Sequence, residues 1–435
     1  MDYDLAVIGA GWAGFNAALK AKAHGLKVAV IEKEKIGGTC LNRGCIPTKA
    51  LLQSAKVYSL AKKSGTFGIE VGNPQINFSA IQFRKDKVIQ QLRQGMILLF
   101  ADIDLLSGEA RIAGSNTIKL GEKEINARFI LIASGSKPLE LKEIRFDGKK
   151  IVSSDDILEL KELPGSLLII GGGVIGCEFA SIFSAFGSQV TIVEMMPQLL
   201  PGIDKEVAKK IETILKKKGI KVATGTDAKT FDYGQYEKVL LCIGRTPATE
   251  NLGLDQLGIK SEKGRITVDE YLRTNIPNIY AAGDCASKTM LAHFAAYQGS
   301  IAAENIAEPL RAPRKSDNSC IPSCIFTDPE IGAVGLTEEE AKARNIDVCV
   351  SKFDFLGSGM ARILDETNGF IKIISNKSSG EVMGASIIGP RATELIGILT
   401  IALQSRLKTS QIRDTILAHP TLSEGITSAL KGYGV

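Results

Sequence analysis

The sequence predicts an α/β protein in which one unit, strand–glycine turn–helix–strand, is used twice. Two observations predict it. The run Val7-Ile8-Gly9-Ala10-Gly11-Trp12-Ala13-Gly14 follows an apolar strand at the start of the chain, and Gly171-Gly172-Gly173-Val174-Ile175-Gly176 follows another apolar strand, its first glycine 162 residues after Gly9. In both copies an acidic residue, Glu32 or Glu194, ends a second apolar run eighteen residues after the last glycine.

In the first unit a buried strand over Tyr3 to Gly9 runs into a helix that continues to about His24-Gly25, where glycine suits a C-cap. Leu26 to Ile31 is the second strand. Gly9 permits the tight turn, Gly11 lets backbone approach a pyrophosphate, and Gly14 allows helix and strand to pack closely. The free N–H groups of the helix start then face phosphate. Glu32 accepts hydrogen bonds from a ribose. This is a Rossmann-like dinucleotide site.

The second unit repeats the device with a strand over Ser166 to Ile170, glycines 171, 173 and 176, and a strand over Gln189 to Val193. One such glycine pattern is a weak signal, but two in matching register imply two dinucleotides. A carboxylate at Glu194 suits a free 2′-hydroxyl and repels a 2′-phosphate. Met195, Met196 and Pro197 follow, with no arginine to receive that phosphate. The second site is therefore expected to take NAD rather than NADP.

Size and composition set the frame. At roughly 100–200 residues per domain, 435 residues suggest about three domains. The net charge of +5 is spread along the chain, and no basic stripe interleaved with aromatics points to nucleic acid. Lys216-Lys217-Lys218 reads as the end of a helix, where cations suit the dipole. The apolar stretch from Leu167 to Phe186 is broken by glycines and Glu178, so no membrane span is expected. A strand beginning almost at Met1 leaves no room for an export signal, so the expected compartment is the cytoplasm. There the eight cysteines default to thiols, with any disulfide catalytic rather than structural.

Directly after the first unit stands Gly37-Gly38-Thr39-Cys40-Leu41-Asn42-Arg43-Gly44-Cys45-Ile46-Pro47-Thr48-Lys49. In a regular helix residues five apart lie about 140° apart around the axis. A disulfide needs Cα atoms within roughly 7 Å. The segment is therefore expected to be irregular at Cys40, with Gly44 supplying freedom. Lys49, four residues after Cys45, shares its face if the helix is regular from Gly44, and a cation there favours thiolate. By spacing alone the pair reads equally well as two buried reduced cysteines.

Of the three histidines, His24 reads as a helix-end residue and His293 as a residue packed without chemistry. His419 precedes Pro420, whose peptide bond is a candidate for cis, and stands five residues before Glu424. Thiol–disulfide exchange needs a base near neutral pH, and a carboxylate on the other ring nitrogen would fix its tautomer. A lone histidine is nevertheless more often a satisfied core or surface residue. Cys320 and Cys324 have no nearby histidine or second pair, so no metal site is expected, and Cys177, Cys242, Cys285 and Cys349 read as small buried residues.

The string GGTCLNRGCIPTKALL closely resembles the active-site segment of the pyridine nucleotide–disulfide oxidoreductases, and within them the dihydrolipoyl dehydrogenase branch. The resemblance covers nearly the whole chain. It includes the crossovers Ile132 to Pro138 and Gly244 to Pro247, a second flavin motif ending Ile279-Tyr-Ala-Ala-Gly-Asp284, the segment Pro322 to Pro329, and His419-Pro-Thr-Leu-Ser-Glu424. It implies FAD and NAD as cofactors, with 1–150 and 248–316 holding FAD, 151–247 holding NAD, and 317–435 an α+β dimerisation domain. On the flavin side it implies Gly9, Gly11, Gly14, Glu32, Lys33, Gly38, Thr39, Lys49, Ala110, Ser134, Gly135, Asp284 and Ala292. On the NAD side it implies Gly171, Gly173, Val174, Ile175, Gly176, Glu178, Glu194 and Gly244.

Within the resemblance, Cys40 is the outer sulfur of a redox disulfide with Cys45, Lys49 pairs with Glu178 near the flavin, and His419 with Glu424 serves the partner subunit of an obligate homodimer. The implied substrate is dihydrolipoamide carried on the lipoyl domain of a 2-oxo acid dehydrogenase or glycine cleavage complex. With no lipoyl domain ahead of Met1, such a complex would be joined by docking. Glutathione-type and mercuric reductases are the neighbouring alternatives. They generally use NADP, against Glu194, and the tail Lys431 to Val435 lacks the extra cysteines of mercuric reductases. A non-catalytic scaffold is the remaining alternative, against which the joint presence of Cys40, Cys45, His419 and Glu424 stands. Two departures from the family stand out: a short stretch between Val222 and Cys242, where a hairpin or meander would be reduced, and Ser134 where threonine is common.

Overall fold

A computed structural model describes residues 1–432; Tyr433, Gly434 and Val435 of the C-terminal tail lie outside the described residues. The first unit opens with β1 (Tyr3–Ile8), α1 (Trp12–Ala23) and β2 (Val28–Glu32). The cysteine segment forms two helices, α2 (Gly38–Arg43) and α3 (Cys45–Lys62), followed by α4 (Phe78–Leu99). β3 (Asp104–Ser107), β4 (Ala110–Gly114), β5 (Thr117–Leu120) and β6 (Lys123–Ile132) complete most of a seven-stranded sheet. β1 is its parallel centre, with β2 and then β3 on one side and β6 on the other. β1 alternates across the sheet as a strand must: Leu5 and Val7 join one apolar core and Ala6 and Ile8 the other.

β7 (Ser136–Pro138) leads to the second unit: β8 (Ile151–Val152), β9 (Ser166–Ile170), α5 (Val174–Ala185), β10 (Gln189–Val193), α6 (Lys205–Lys217), β11 (Lys221–Ala223) and β12 (Lys238–Leu241). Its five strands are all parallel, in the order β11-β10-β9-β12-β8. Between β11 and β12 there are two single 3-10 turns and no hairpin, which is the reduction expected from the short sequence. β13 (Arg245–Pro247) returns the chain by pairing antiparallel with β7. A two-residue-strand hairpin, β14 (Ser261–Glu262) and β15 (Arg265–Ile266), precedes β16 (Ile279–Ala281), which adds to the first sheet beside β6. α7 (Ala292–Ala307) then packs on α1.

The C-terminal part is α+β. Its antiparallel sheet runs β17-β18-β21-β20-β19, from β17 (Ser323–Ile325), β18 (Glu330–Gly335), β19 (Val348–Asp354), β20 (Phe370–Asn376) and β21 (Val382–Gly389). Helices α8 (Glu338–Ala343), α9 (Gly359–Ile363), α10 (Ala392–Gln404), α11 (Thr409–Arg413) and α12 (Glu424–Leu430) surround it. No described helix is long and apolar enough to cross a membrane. The architecture is thus two Rossmann-like units and an α+β domain.

The two glycine turns are superposable in their physics. Gly9 and Gly171 adopt φ of +103° and +113°, a region open to glycine. A Cβ on Gly14 would overlap the Gly9 carbonyl oxygen, and one on Gly176 would overlap that of Gly171. Both helices start from an extended glycine, Gly11 or Gly173, with no side-chain cap, so their first N–H groups stay free.

A buried ion cluster joins the second unit to the C-terminal sheet. Lys372 on β20, 1% exposed, reaches Asp204 at 2.8 Å, Glu338 at 2.8 Å and Glu206 at 3.1 Å. Asp204, fully buried, also caps α6 by accepting from the N–H groups of Glu206 and Val207. Lys342 and Lys372 together hold the Glu338 carboxyl down to about 2. Breaking one partner of a buried pair costs about 3–5 kcal/mol, because the other charge stays buried. Lys372→Met is accordingly expected to lose about 3 kcal/mol or more in urea unfolding of the holoprotein. A loss below about 1 kcal/mol would place the cluster among surface-like pairs.

Candidate active site

Both glycine turns open onto one cavity of about 1690 Å³. A pocket for one small ligand is roughly 300–1000 Å³, so this space suits two long ones. Gly9, Gly11, Glu32, Lys33, Gly38, Thr39, Lys49, Ala110, Ser134, Gly135, Asp284 and Ala292 all line it. So do Gly171, Gly173, Val174, Ile175, Glu178, Glu194 and Gly244. Gly14 and Gly176 do not. They stand behind their turns, under the carbonyls of Gly9 and Gly171, where the lack of a Cβ lets turn and helix pack closely.

The walls fit dinucleotides. Glu32 accepts from Ala10 N–H at 2.8 Å and Glu34 N–H at 2.9 Å. Glu194 does the same with Gly172 at 2.6 Å and Met196 at 2.7 Å. Each carboxylate is thus fixed at the tip of its second strand, with lone pairs remaining for ribose hydroxyls. Burial pushes the Glu32 carboxyl up, against the Ala10 hydrogen bond and Lys33. On the side of the first glycine turn, Ser134 Oγ and Trp12 Nε1 are buried with no hydrogen-bond partner while their residues line the cavity. Buried polar atoms of this kind await a ligand.

Cys40 and Cys45, both free thiols, lie in the same wall. The helical break falls at Gly44, with φ −144° and ψ −110°, and not at Cys40, which sits inside a short regular helix; that expectation is corrected. The break brings the two sulfurs together where a continuous helix would turn them apart. The thiols differ sharply. A hydrogen bond from Cys40 and the Lys49 ammonium hold Cys45 down to about 7, against burial and Glu178. The same interaction with Cys45, and then burial, push Cys40 well above the ordinary thiol range.

Lys49 Nζ donates to both Glu178 oxygens, at 2.9 and 2.8 Å. Phe326 N–H donates to Glu178 Oε1 at 2.9 Å, and the Phe326 ring lies 4.6 Å from the ammonium. Three segments, α3, α5 and the end of β17, therefore meet at one charge pair beside Cys45.

His419 Nδ1 lies 2.9 Å from Glu424 Oε1, and the other carboxylate oxygen accepts from Thr421 N–H at 2.8 Å. The Thr421 bond and then His419 hold the Glu424 carboxyl below its usual range. The His419–Pro420 peptide is cis. The imidazole is 81% exposed, and neither His419 nor Glu424 lines the cavity of its own chain. The histidine–carboxylate pair is brought together, but not to the thiols of the same subunit.

Other residues fall as follows. His24 caps α1 and lies 3.4 Å from Glu308. His293 lines the cavity but contacts the Pro322 carbonyl at 2.9 Å, and burial lowers its pKa. Cys177, Cys242 and Cys285 are buried, whereas Cys349 on the edge strand β19 is exposed, which corrects its reading as buried. Sequence reasoning missed Trp12, Arg43, Asp155, Arg245 and Cys324 as wall residues. Arg245 follows Gly244 in a stretch already singled out, but nothing in the stretch shows that its side chain turns back to the first unit.

Two nucleotide turns sharing a cavity with an asymmetric thiol pair define a nucleotide-dependent thiol–disulfide oxidoreductase. The chain belongs to the pyridine nucleotide-disulphide oxidoreductase family, matched over residues 3–299, with that family's dimerisation domain matched over 321–430. Among its relatives is the dihydrolipoyl dehydrogenase of Chlamydia trachomatis, 42% identical over 97% of this chain and 95% of that protein. A dihydrolipoyl dehydrogenase of Bacillus subtilis is 38% identical, covering 98% and 97%. Among solved structures, the HOCl-induced flavoprotein disulfide reductase RclA of Escherichia coli superposes with a TM-score of 0.88 at 30% identity over 99% of both chains. LpdA of Mycobacterium tuberculosis gives 0.91 at 26% identity, over 99% of this chain and 100% of that one.

If Lys49 holds Cys45 toward thiolate, Lys49→Met raises the Cys45 titration by about one unit, a tenfold fall in the thiolate-to-thiol ratio. Ultraviolet thiolate absorbance of the reduced protein against pH measures it. An unchanged titration would assign the low pKa to Cys40 alone.

Proposed function

We propose that the chain is an FAD-dependent dihydrolipoyl dehydrogenase, oxidising dihydrolipoamide to lipoamide and reducing NAD to NADH. The observation that carries the reading is Cys45, held toward thiolate beside Lys49 in the wall that both glycine turns share. Residues 1–150 and 248–316 hold FAD, 151–247 hold NAD, and the part from 317 onward pairs two subunits. Glu194 selects NAD, since a 2′-phosphate would meet its carboxylate and no arginine follows it.

The exposed His419–Glu424 pair supports a homodimer in which each site is completed by His419 of the partner subunit. Glu424 accepts from Nδ1–H, so the tautomer leaves Nε2 free to take a proton. The base removes a proton from one substrate thiol, and the resulting thiolate attacks Cys40 Sγ of the oxidised pair. The Cys40–Cys45 bond breaks and Cys45 leaves as a thiolate, which its low pKa favours. The second substrate thiolate then attacks the mixed disulfide, closing the lipoamide ring and releasing Cys40. FAD and NAD, when bound, supply the two-electron transfer that reoxidises the pair. The Lys49–Glu178 pair fixes local charge and carries no proton.

The reading places the enzyme in the cytoplasm, where Cys177, Cys242 and Cys285 stay reduced, and gives it a lipoyl domain of a 2-oxo acid dehydrogenase or glycine cleavage complex as partner. Purified protein is expected to reduce NAD with dihydrolipoamide and to be inert with glutathione or CoA disulfides. Cys45→Ser should abolish the reaction with FAD still bound. His419→Gln should lower kcat by about a hundredfold to ten-thousandfold, the usual worth of a positioned base. Full activity in Cys45→Ser, or a preference for glutathione disulfide, would remove the reading.

A further inference from the structure

Arg245 stands on β13, the strand that leaves the second unit, yet its guanidinium reaches into the first. Its Nε donates to Ser136 Oγ at 2.8 Å and Nη2 donates to the Ser136 carbonyl at 2.8 Å. Nη2 also lies 3.4 Å from Thr39 Oγ1, next to Cys40. Ser136 Oγ in turn donates to Asp284 Oδ2 at 2.6 Å. A guanidinium can only donate. Ser136 must therefore accept from Arg245, and its one proton is directed to Asp284.

We propose that Arg245 is a positioning residue which, through Ser136, keeps Asp284 an ionised acceptor for a ribityl hydroxyl of FAD. The proposal rests on the flavin reading of the cavity. It ties flavin retention to the strand that closes the NAD unit, a role that the glycine turns do not supply.

The surroundings explain why the carboxylate needs this support. Burial pushes the Asp284 carboxyl up, and the opposing influences are the Ser136 bond and the Arg245 charge. Burial pulls Arg245 down in turn, and Asp155 and Asp284 hold it charged. Asp155 also faces Arg43 at 3.7 Å, and Arg43 is paired with Glu34. The Cys285 thiol beside Asp284 is pushed up to about 11 and stays neutral. Lys288 and His293 line the same cavity. Arg245 is thus the cation that Asp284 draws on, and it reaches the carboxylate by way of one hydroxyl.

The test is FAD release from the holoenzyme, read by flavin fluorescence as the pH is lowered stepwise from neutral, the direction in which a carboxyl raised by burial takes up its proton. Wild type is expected to release FAD at a rate that varies little. In Arg245→Met the carboxyl protonates at higher pH, so release accelerates about tenfold toward the acid end, the effect of a one-unit shift. Ser136→Ala should show the same acid sensitivity, and the double variant should be no worse than Arg245→Met. Arg245→Lys, which keeps the charge without the fork, should fall between wild type and Arg245→Met, and it reads the effect even if Arg245→Met folds poorly. Release that is raised equally at every pH, or additive losses in the double variant, would make Arg245 a mere staple between β7 and β13 and overturn the proposal. Wild-type protein that binds no FAD would overturn the functional reading itself.

Discussion

The bidentate contact between Lys49 and Glu178 is the constraint on which the site depends. Glu178 is almost fully buried, and an uncompensated carboxylate in such a place is strongly disfavoured. Lys49 and the Phe326 N–H satisfy it together. Because the three groups come from α3, α5 and the end of β17, meeting this one requirement locks the cysteine helix, the helix of the second glycine turn and the C-terminal domain into register. The same ammonium then acts on Cys45, so a packing requirement and a chemical one are met by one side chain.

Around that pair the chain solves one problem twice. A strand must deliver backbone to a phosphate without a side chain in the way. Both solutions use a left-handed glycine, an uncapped helix start and a carboxylate hung on two backbone N–H groups. The turns lie in separate sheets, and β7 and β13 hold the sheets so that both face one cavity. The thiol pair sits where the two meet. In the mechanism we propose, electrons enter at Cys40 and leave past Cys45.

Much of this was legible in the sequence because local rules dominate at these positions. The strand over 166–170 and that over 189–193 came out with their observed boundaries, since each is a short, mainly apolar run that stops at a glycine or an acid. The α+β character of the C-terminal part and the Lys49–Glu178 pair came from family resemblance, as no spacing rule links residues 129 apart. What stayed illegible depends on tertiary direction. Spacing demanded a break near the cysteines and singled out Gly44 as its source of freedom, but it placed the irregularity at Cys40 rather than at Gly44 itself. Cys349 looks apolar in sequence, and only its place on an edge strand exposes it. Arg245 and Trp12 carry no periodicity that would mark them as cavity residues.

The most direct measurement is a crystal structure of the holoprotein with FAD and NAD. The expected result is the FAD pyrophosphate at Gly9–Gly11, NAD at Gly171–Gly173 with its ribose on Glu194, and the flavin ring within reach of both Cys45 and Lys49. His419 of the partner subunit should approach Cys40. A flavin ring remote from Cys45, or both ligands seated on one glycine turn, would contradict the electron path from thiol pair to NAD.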